Sequence, residues 1–171
     1  MESAPTADFE TLFHTHYEQV ARVIARVIKD TARSEEIAVE VFLKLWHTPQ
    51  AQGEKAGGWL YRTAVRMALN ELRRHTRSSH YENLSSGGNA TPTPEDIHAA
   101  AEEQEHVRQV LARRNSRQAE LLLLRSHGLS YEELAAAVEV SPASIGTLLS
   151  RAQQAFRKEY TEQFGGQNNE E

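Results

Sequence analysis

The sequence predicts an all-α protein built as two small helical domains, and three observations lead there. Apolar residues recur at three- and four-residue steps along most of the 171 residues, while alternating β-branched runs are few. From Ser78 to Pro94 the chain reads SSHYENLSSGGNATPTP, with only Tyr81 and Leu84 to bury, which is the composition of a flexible linker. Near the C-terminus, two helical segments separated by the three residues Glu139-Val140-Ser141 have the spacing of a helix-turn-helix. The expected organisation is a helical domain over 1–77, a linker over 78–94, a helix-turn-helix domain over 95–164 and a disordered tail over 165–171.

Taken in order, Phe9, Leu12, Phe13, Val20, Val23, Ile24, Val27 and Ile28 line one face of a helix over about residues 8 to 29. Asp30 and Thr31 break it. Ser34 is placed to cap a second helix with Glu35 and Glu36 in its first turn, burying Ile37, Ala38, Val41, Phe42 and Leu45 and ending near Trp46. The loop TPQAQGEKAGG leads to a third helix from Gly58. Beyond the linker, Thr93-Pro94 starts a helix that runs through an acidic segment into Val107, Val110 and Leu111. Asn115 or Ser116 caps the next, which buries Leu121, Leu122 and Leu124 before Gly128 stops it. Ser130-Tyr-Glu-Glu133 is a capping box opening a short helix with Leu134, Ala135 and Val138. Ser141-Pro142 starts the last helix, with Ile145, Leu149, Ala152 and Phe156 inward.

The third helix carries the chemistry. At about 100° per residue, Arg62, Arg66, Arg73 and Arg77 of GWLYRTAVRMALNELRRHTR fall within roughly 60° of one another. Leu60, Ala64, Met67, Ala68 and Leu72 lie opposite. Guanidinium groups bond phosphate oxygens in pairs and stack on bases, and Trp59 and Tyr61 add flat faces of the kind unpaired bases stack upon. The plainer reading is a solvated basic face with a core tryptophan. Charge is uneven in the same sense: Glu54 to His80 holds six basic residues, Arg74 included, against two acidic ones, in a chain of net charge −5. That balance excludes a protein coating nucleic acid with its whole surface and points to directed binding at one place.

Cysteine is absent, so disulfides and thiolate metal sites are excluded. The N-terminus lacks the pattern of a signal peptide and no apolar run approaches a membrane span, so a cytoplasmic protein without membrane insertion is expected. His14 and His16 lie on different helix faces, and His98 and His106 have no third ligand, so no metal site is expected. Paired carboxylates such as Glu102-Glu103 read as solvated charges. No phosphate loop or nucleophile motif appears, and neither an enzyme nor a cofactor is expected.

Three runs in this order, SEEIAVEVFLKLW (34–46), GWLYRTAVRMALNELRR (58–74) and GLSYEELAAAVEVSPASIGTLLSRA (128–152), resemble bacterial RNA polymerase sigma factors of the extracytoplasmic-function group. The resemblance implies a region 2-like bundle of three or four helices and a region 4-like helix-turn-helix domain. It implies that Glu36, Glu40, Leu43 and Lys44 contact core polymerase. It also implies that Trp59, Tyr61, Arg62, Arg66, Arg73, Arg74 and Arg77 capture and help open promoter DNA, and that Ser141, Ser144, Thr147 and Arg151 read an element further upstream. An anti-sigma factor or other regulator is a further implied partner. The chain departs from the family pattern at Val39, usually Gln, and at Arg66 and Asn70, usually Asn and Asp. Gly146 and Leu148 stand where Lys and Arg are common, which weakens the case for DNA reading by the last helix. Leu148 is expected to pack on another protein surface, either the first domain or a regulator. The alternative is a sigma-like regulator whose helix-turn-helix binds a protein partner more than DNA.

Overall fold

The computed structural model describes the backbone of residues 6–82 and 95–165, and side chains over 9–75 and 99–165. Its helices are α1 (Thr6–Ile28), α2 (Thr31–Trp46), α3 (Ala56–Glu82), α4 (Glu95–Arg113), α5 (Ser116–Ser126), α6 (Tyr131–Val138) and α7 (Pro142–Phe164), with a short 3-10 turn at Pro49–Ala51. No strand occurs among the described residues.

Most elements lie where the apolar periodicity puts them, and the differences are local. Lys29 takes a left-handed φ of 57°, ending α1, and Asp30 rather than Ser34 caps α2. The Asp30 carboxylate accepts from the Arg33 amide at 3.0 Å. Ser34 is buried inside the helix, its hydroxyl donating to the Asp30 carbonyl at 2.5 Å. Capping one turn earlier moves Glu35 and Glu36 out of the first turn. At the other end of α2, the Gln52 amide donates to the Leu45 and Trp46 carbonyls at 2.8 and 3.3 Å. Orphan carbonyls of the last turn thereby anchor the loop that follows. Helix α3 starts two residues early and continues five residues past Arg77, into the stretch read as linker. The Thr93-Pro94 start and the rest of the linker lie outside the described residues.

In the C-terminal half, Asn115 caps α5 by accepting from the Arg117 amide at 2.9 Å. Ser130 and Glu133 form the reciprocal capping box of α6. Gly128, at φ 87°, makes the turn that a side chain would strain. Glu139 closes α6 at φ 58° without being glycine, and Pro142 opens α7. The helix-turn-helix is thus formed as its spacing predicts. Leu121 and Leu124 are buried, but Leu122 is half-buried.

Helix α3 packs on α1 and α2 along one side and on α4, α5 and α6 along the other. The apolar core is continuous across it, from Ile24, Ile37 and Leu45 through Leu60 and Leu69 to Leu121, Leu134 and Ile145. Small residues let the backbones approach: a Cβ added at Gly58 would lie 3.7 Å from the Ala137 Cα and 3.8 Å from its Cβ. Arg108 of α4 reaches back to α1, donating to the Val27 carbonyl at 2.9 Å and the Arg26 carbonyl at 3.5 Å.

Candidate nucleic-acid and partner interfaces

The arginine row on α3 is formed, and it faces the C-terminal half of the chain. Arg66 Nε meets Glu120 Oε1 at 2.7 Å, and Arg62 Nε lies 3.8 Å from Glu120 Oε2. Glu120 sits on α5 and is only 4% exposed. A carboxylate this buried is tolerated because two guanidiniums face it. Arg62 also lies 3.8 Å from Glu139 in the turn between α6 and α7. Two turns further along α3, Arg73 donates to the carbonyls of Ala112 and Arg114 at 3.1 and 3.2 Å and to the Ser116 hydroxyl at 3.1 Å. It thereby clamps the connection between α4 and α5. Arg74 points away, exposed, with Glu71 at 3.6 Å. The side chain of Arg77 lies outside the described residues.

Glu71 itself forms a paired bond with Arg33 of α2, at 3.0 and 3.3 Å. The hydrogen bond from Arg33 holds the Glu71 carboxyl below the usual carboxylate range despite its burial. Bonds to Glu71 and Glu36 hold Arg33 above the usual guanidinium range. This pair fastens α2 to α3.

The aromatic residues at the start of α3 are half-buried. Trp59 packs against the core. The Tyr61 hydroxyl donates to the Gln19 side-chain oxygen and lies 3.3 Å from His16 Nδ1, whose ring meets it edge-on. Burial raises the Tyr61 phenol, with the nearby Glu133 charge adding to it, and lowers His16. These two residues line a cleft between α1, the start of α3 and the α5–α6 turn, together with Arg22, Arg26, Lys55 and His127. His127 is lowered by burial and then by Arg26.

On α7, Ser141, Ser144, Thr147 and Arg151 are all exposed on the outside of the molecule. Leu148 is half-buried against the chain's own core. Gly146 leaves ordinary contact distance to the Tyr131 ring.

On α2, Glu36, Glu40, Leu43 and Lys44 share an exposed surface. Sequence reasoning found Leu43 there but missed its apolar neighbours Val39 and Trp46: the three are 54%, 46% and 44% exposed. Their spacing of four and three residues makes a second, outward stripe opposite the buried one. Trp46 is held in place edge-on to Phe9, ring centres 5.0 Å apart. Glu36 and Glu40 are tethered by Arg33 at 2.9 and 3.5 Å. Glu120, Glu139 and Arg108 were also missed, because nothing in their local sequence marks them as partners for residues 54 to 82 positions away.

Among the described residues no three His, Asp or Glu side chains come together as a metal site, and no helix is long and apolar enough to cross a membrane. His106 stacks flat on Phe164 at 3.8 Å.

Residues 12–78, which contain the α2 surface and the arginine row, match the sigma-70 region 2 family. The chain is similar to the ECF RNA polymerase sigma factor SigK of Mycobacterium bovis and of Mycobacterium tuberculosis. Identity is 26% over 153 residues, covering 85% of this chain and 80% of the relative. It is also similar to SigL of Mycobacterium tuberculosis, 28% identical over 106 residues, 57% of this chain and 58% of the relative. A solved structure of the sigma factor RpoE in complex with the anti-sigma factor NepR, from Bartonella quintana, shares the fold. Its TM-score is 0.51 at 16% identity, over 88% of this chain and 95% of that one.

Proposed function

We propose that this chain, which belongs to the extracytoplasmic-function group of RNA polymerase sigma factors, directs core polymerase to specific promoters and starts transcription there. The observation that carries this reading lies inside the region 2 match: an outward apolar stripe on α2 beside a helix lined with arginines. The α2 surface, with Leu43 at its centre and Glu36, Glu40 and Lys44 around it, serves the polymerase. Helix α3 serves DNA: Arg62, Arg66, Arg73, Arg74 and Arg77 supply phosphate contacts, and Trp59 and Tyr61 supply stacking faces near a melted base. The exposed hydroxyls of Ser141, Ser144 and Thr147, with Arg151, meet the upstream element through α6 and α7. The functional units are residues 1–77 and 95–164. Phosphodiester synthesis belongs to the polymerase, and the chain works beside it in the cytoplasm.

The outward surface of α7 favours a second role for that helix. With Gly146 and Leu148 where cations are common, the only charge among its reading positions is Arg151, and long-range attraction to phosphate is weak. A regulatory protein such as an anti-sigma factor fits this surface as well as DNA does. Run-off transcription with purified core polymerase on a genomic fragment library tests the main reading. Discrete start sites that appear only with the chain are expected, and core transcription unaltered by it would refute the reading.

A further inference from the structure

We propose that the cleft between α1, the start of α3 and the α5–α6 turn binds a small polyphosphate-bearing ligand of nucleotide size. Its volume is about 690 Å³, within the range of pockets that enclose small molecules. Its permanent cations come from two places: Arg22 and Arg26 stand one helical turn apart on α1, and Lys55 immediately precedes α3. Among the described residues these three form no ion pair, whereas Arg33, Arg62, Arg66 and Arg74 each face a carboxylate. Like charges gathered around a concave surface repel one another and focus a field that an anion relieves. Glu54 and Glu133 also line the cleft. The Glu133 carboxylate is engaged in the capping box, accepting from the Ser130 amide at 3.2 Å, and Glu54 is exposed. Two carboxylates against three cations leave a positive balance before either histidine is counted.

The rest of the wall suits the remainder of such a ligand. Gly57 lets the first turn of α3 bring its backbone beside His16, since a Cβ there would lie 3.4 Å from the ring's Cε1. First-turn amides have no earlier turn to bond to, so they add donors for a phosphate to those of the side chains. The rings of Tyr61, His16 and His127, with Val23 and Leu129, offer flat and apolar surface for a base. This wall is held in place by its own bonds: Tyr61 donates to Gln19, and Arg125 donates to the Leu129 carbonyl at 2.8 Å across the α5–α6 turn. Burial lowers His16 and His127, with Arg26 adding to the effect at His127, and a bound anion would offset both causes.

The cleft shares only Tyr61 with the surfaces assigned to promoter and polymerase, so binding there is decided separately from whether the chain directs transcription. The test is calorimetric titration of the full-length chain with sodium tripolyphosphate and, separately, with ATP. Divalent cations are left out, and salt is held at about 0.15 M, where distant exposed charges are largely screened. Saturable one-to-one binding of both is expected. Arg22→Ala and Lys55→Ala, on different elements, should each weaken it about tenfold, the loss of one charge-assisted hydrogen bond. Arg157→Ala, exposed on α7 and not lining the cleft, should leave it unchanged. Circular dichroism verifies the fold of each variant. Of the eight histidines, His16 and His127 should be the ones whose ring proton signals move during titration. Tighter binding of ATP than of tripolyphosphate identifies the ligand as a nucleotide, and equal or weaker binding as a bare polyphosphate; each outcome supports the site. Absence of saturable binding by either probe overturns it, as does equal weakening by Arg157→Ala or histidine shifts that spare His16 and His127.

Discussion

Shortening Leu43 to alanine is the sharpest probe of the α2 surface. Leu43 is 54% exposed, so about half of its apolar area is left for a partner to cover. Complete burial of a leucine-sized side chain is worth about 1.5–3 kcal/mol, and the uncovered half therefore about 0.8–1.5 kcal/mol. At 1.4 kcal/mol per factor of ten, Leu43→Ala should weaken binding to core polymerase about three- to tenfold. Val39→Ala in the same chain removes a neighbouring patch and should multiply the loss to tens of fold. Both residues face outward, so the melting temperature should stay nearly unchanged. Trp46 is a poorer probe, since its ring also supports Phe9. Charge changes should rank the other way from intuition: Glu36→Gln and Glu40→Gln should cost little, because Arg33 already holds both carboxylates. The assay is anisotropy of labelled chain titrated with core enzyme. An unchanged dissociation constant for the Val39 and Leu43 double variant would refute the assignment of this surface.

Further outcomes follow from other contacts. Ser130→Ala removes half of the α6 capping box and should lower stability by about 0.5–2 kcal/mol in urea titration. Arg73→Ala deletes three hydrogen bonds across the two halves; at about 0.5–1.5 kcal/mol each, the melt should drop clearly even though the residue lies in the proposed DNA row. His16 and His127 are lowered by burial, so the folded state disfavours their protonation. Their contribution is whole above the ordinary histidine value of about 6.5 and is lost as pH falls below it. Melts between pH 7.5 and 5 should show that decline, and His127→Gln should flatten it.

Much of this fold was legible because its signals are local. The capping box at Ser130, the glycine turn at Gly128 and the stripe from Val20 to Val27 each specify their element within one or two turns of helix. Ser34 misled because two good caps stand four residues apart, and the left-handed turn at Lys29 selects the first. The arginine row was legible as a row, but the surface it meets was not. Its main partner is a glutamate 54 residues later that looks like any solvated charge until the helices pack. Val39 and Trp46 were hidden for the opposite reason: on an amphipathic helix an apolar residue is read as inward, and these two face out.

The bond from Arg108 to the end of α1 has a consequence for biosynthesis. The Val27 and Arg26 carbonyls belong to the last turn of α1, which has no later turn to satisfy them, and their partner is encoded 81 residues further on. At about 5–20 residues per second, a ribosome delivers Arg108 roughly 4–16 s after Val27. Through that interval the last turn of α1 has only water to satisfy it. The helix that begins the chain is completed by a residue from its second half, so a truncated product carrying only the first three helices would keep a frayed α1 end, visible as fast amide exchange at residues 26–28.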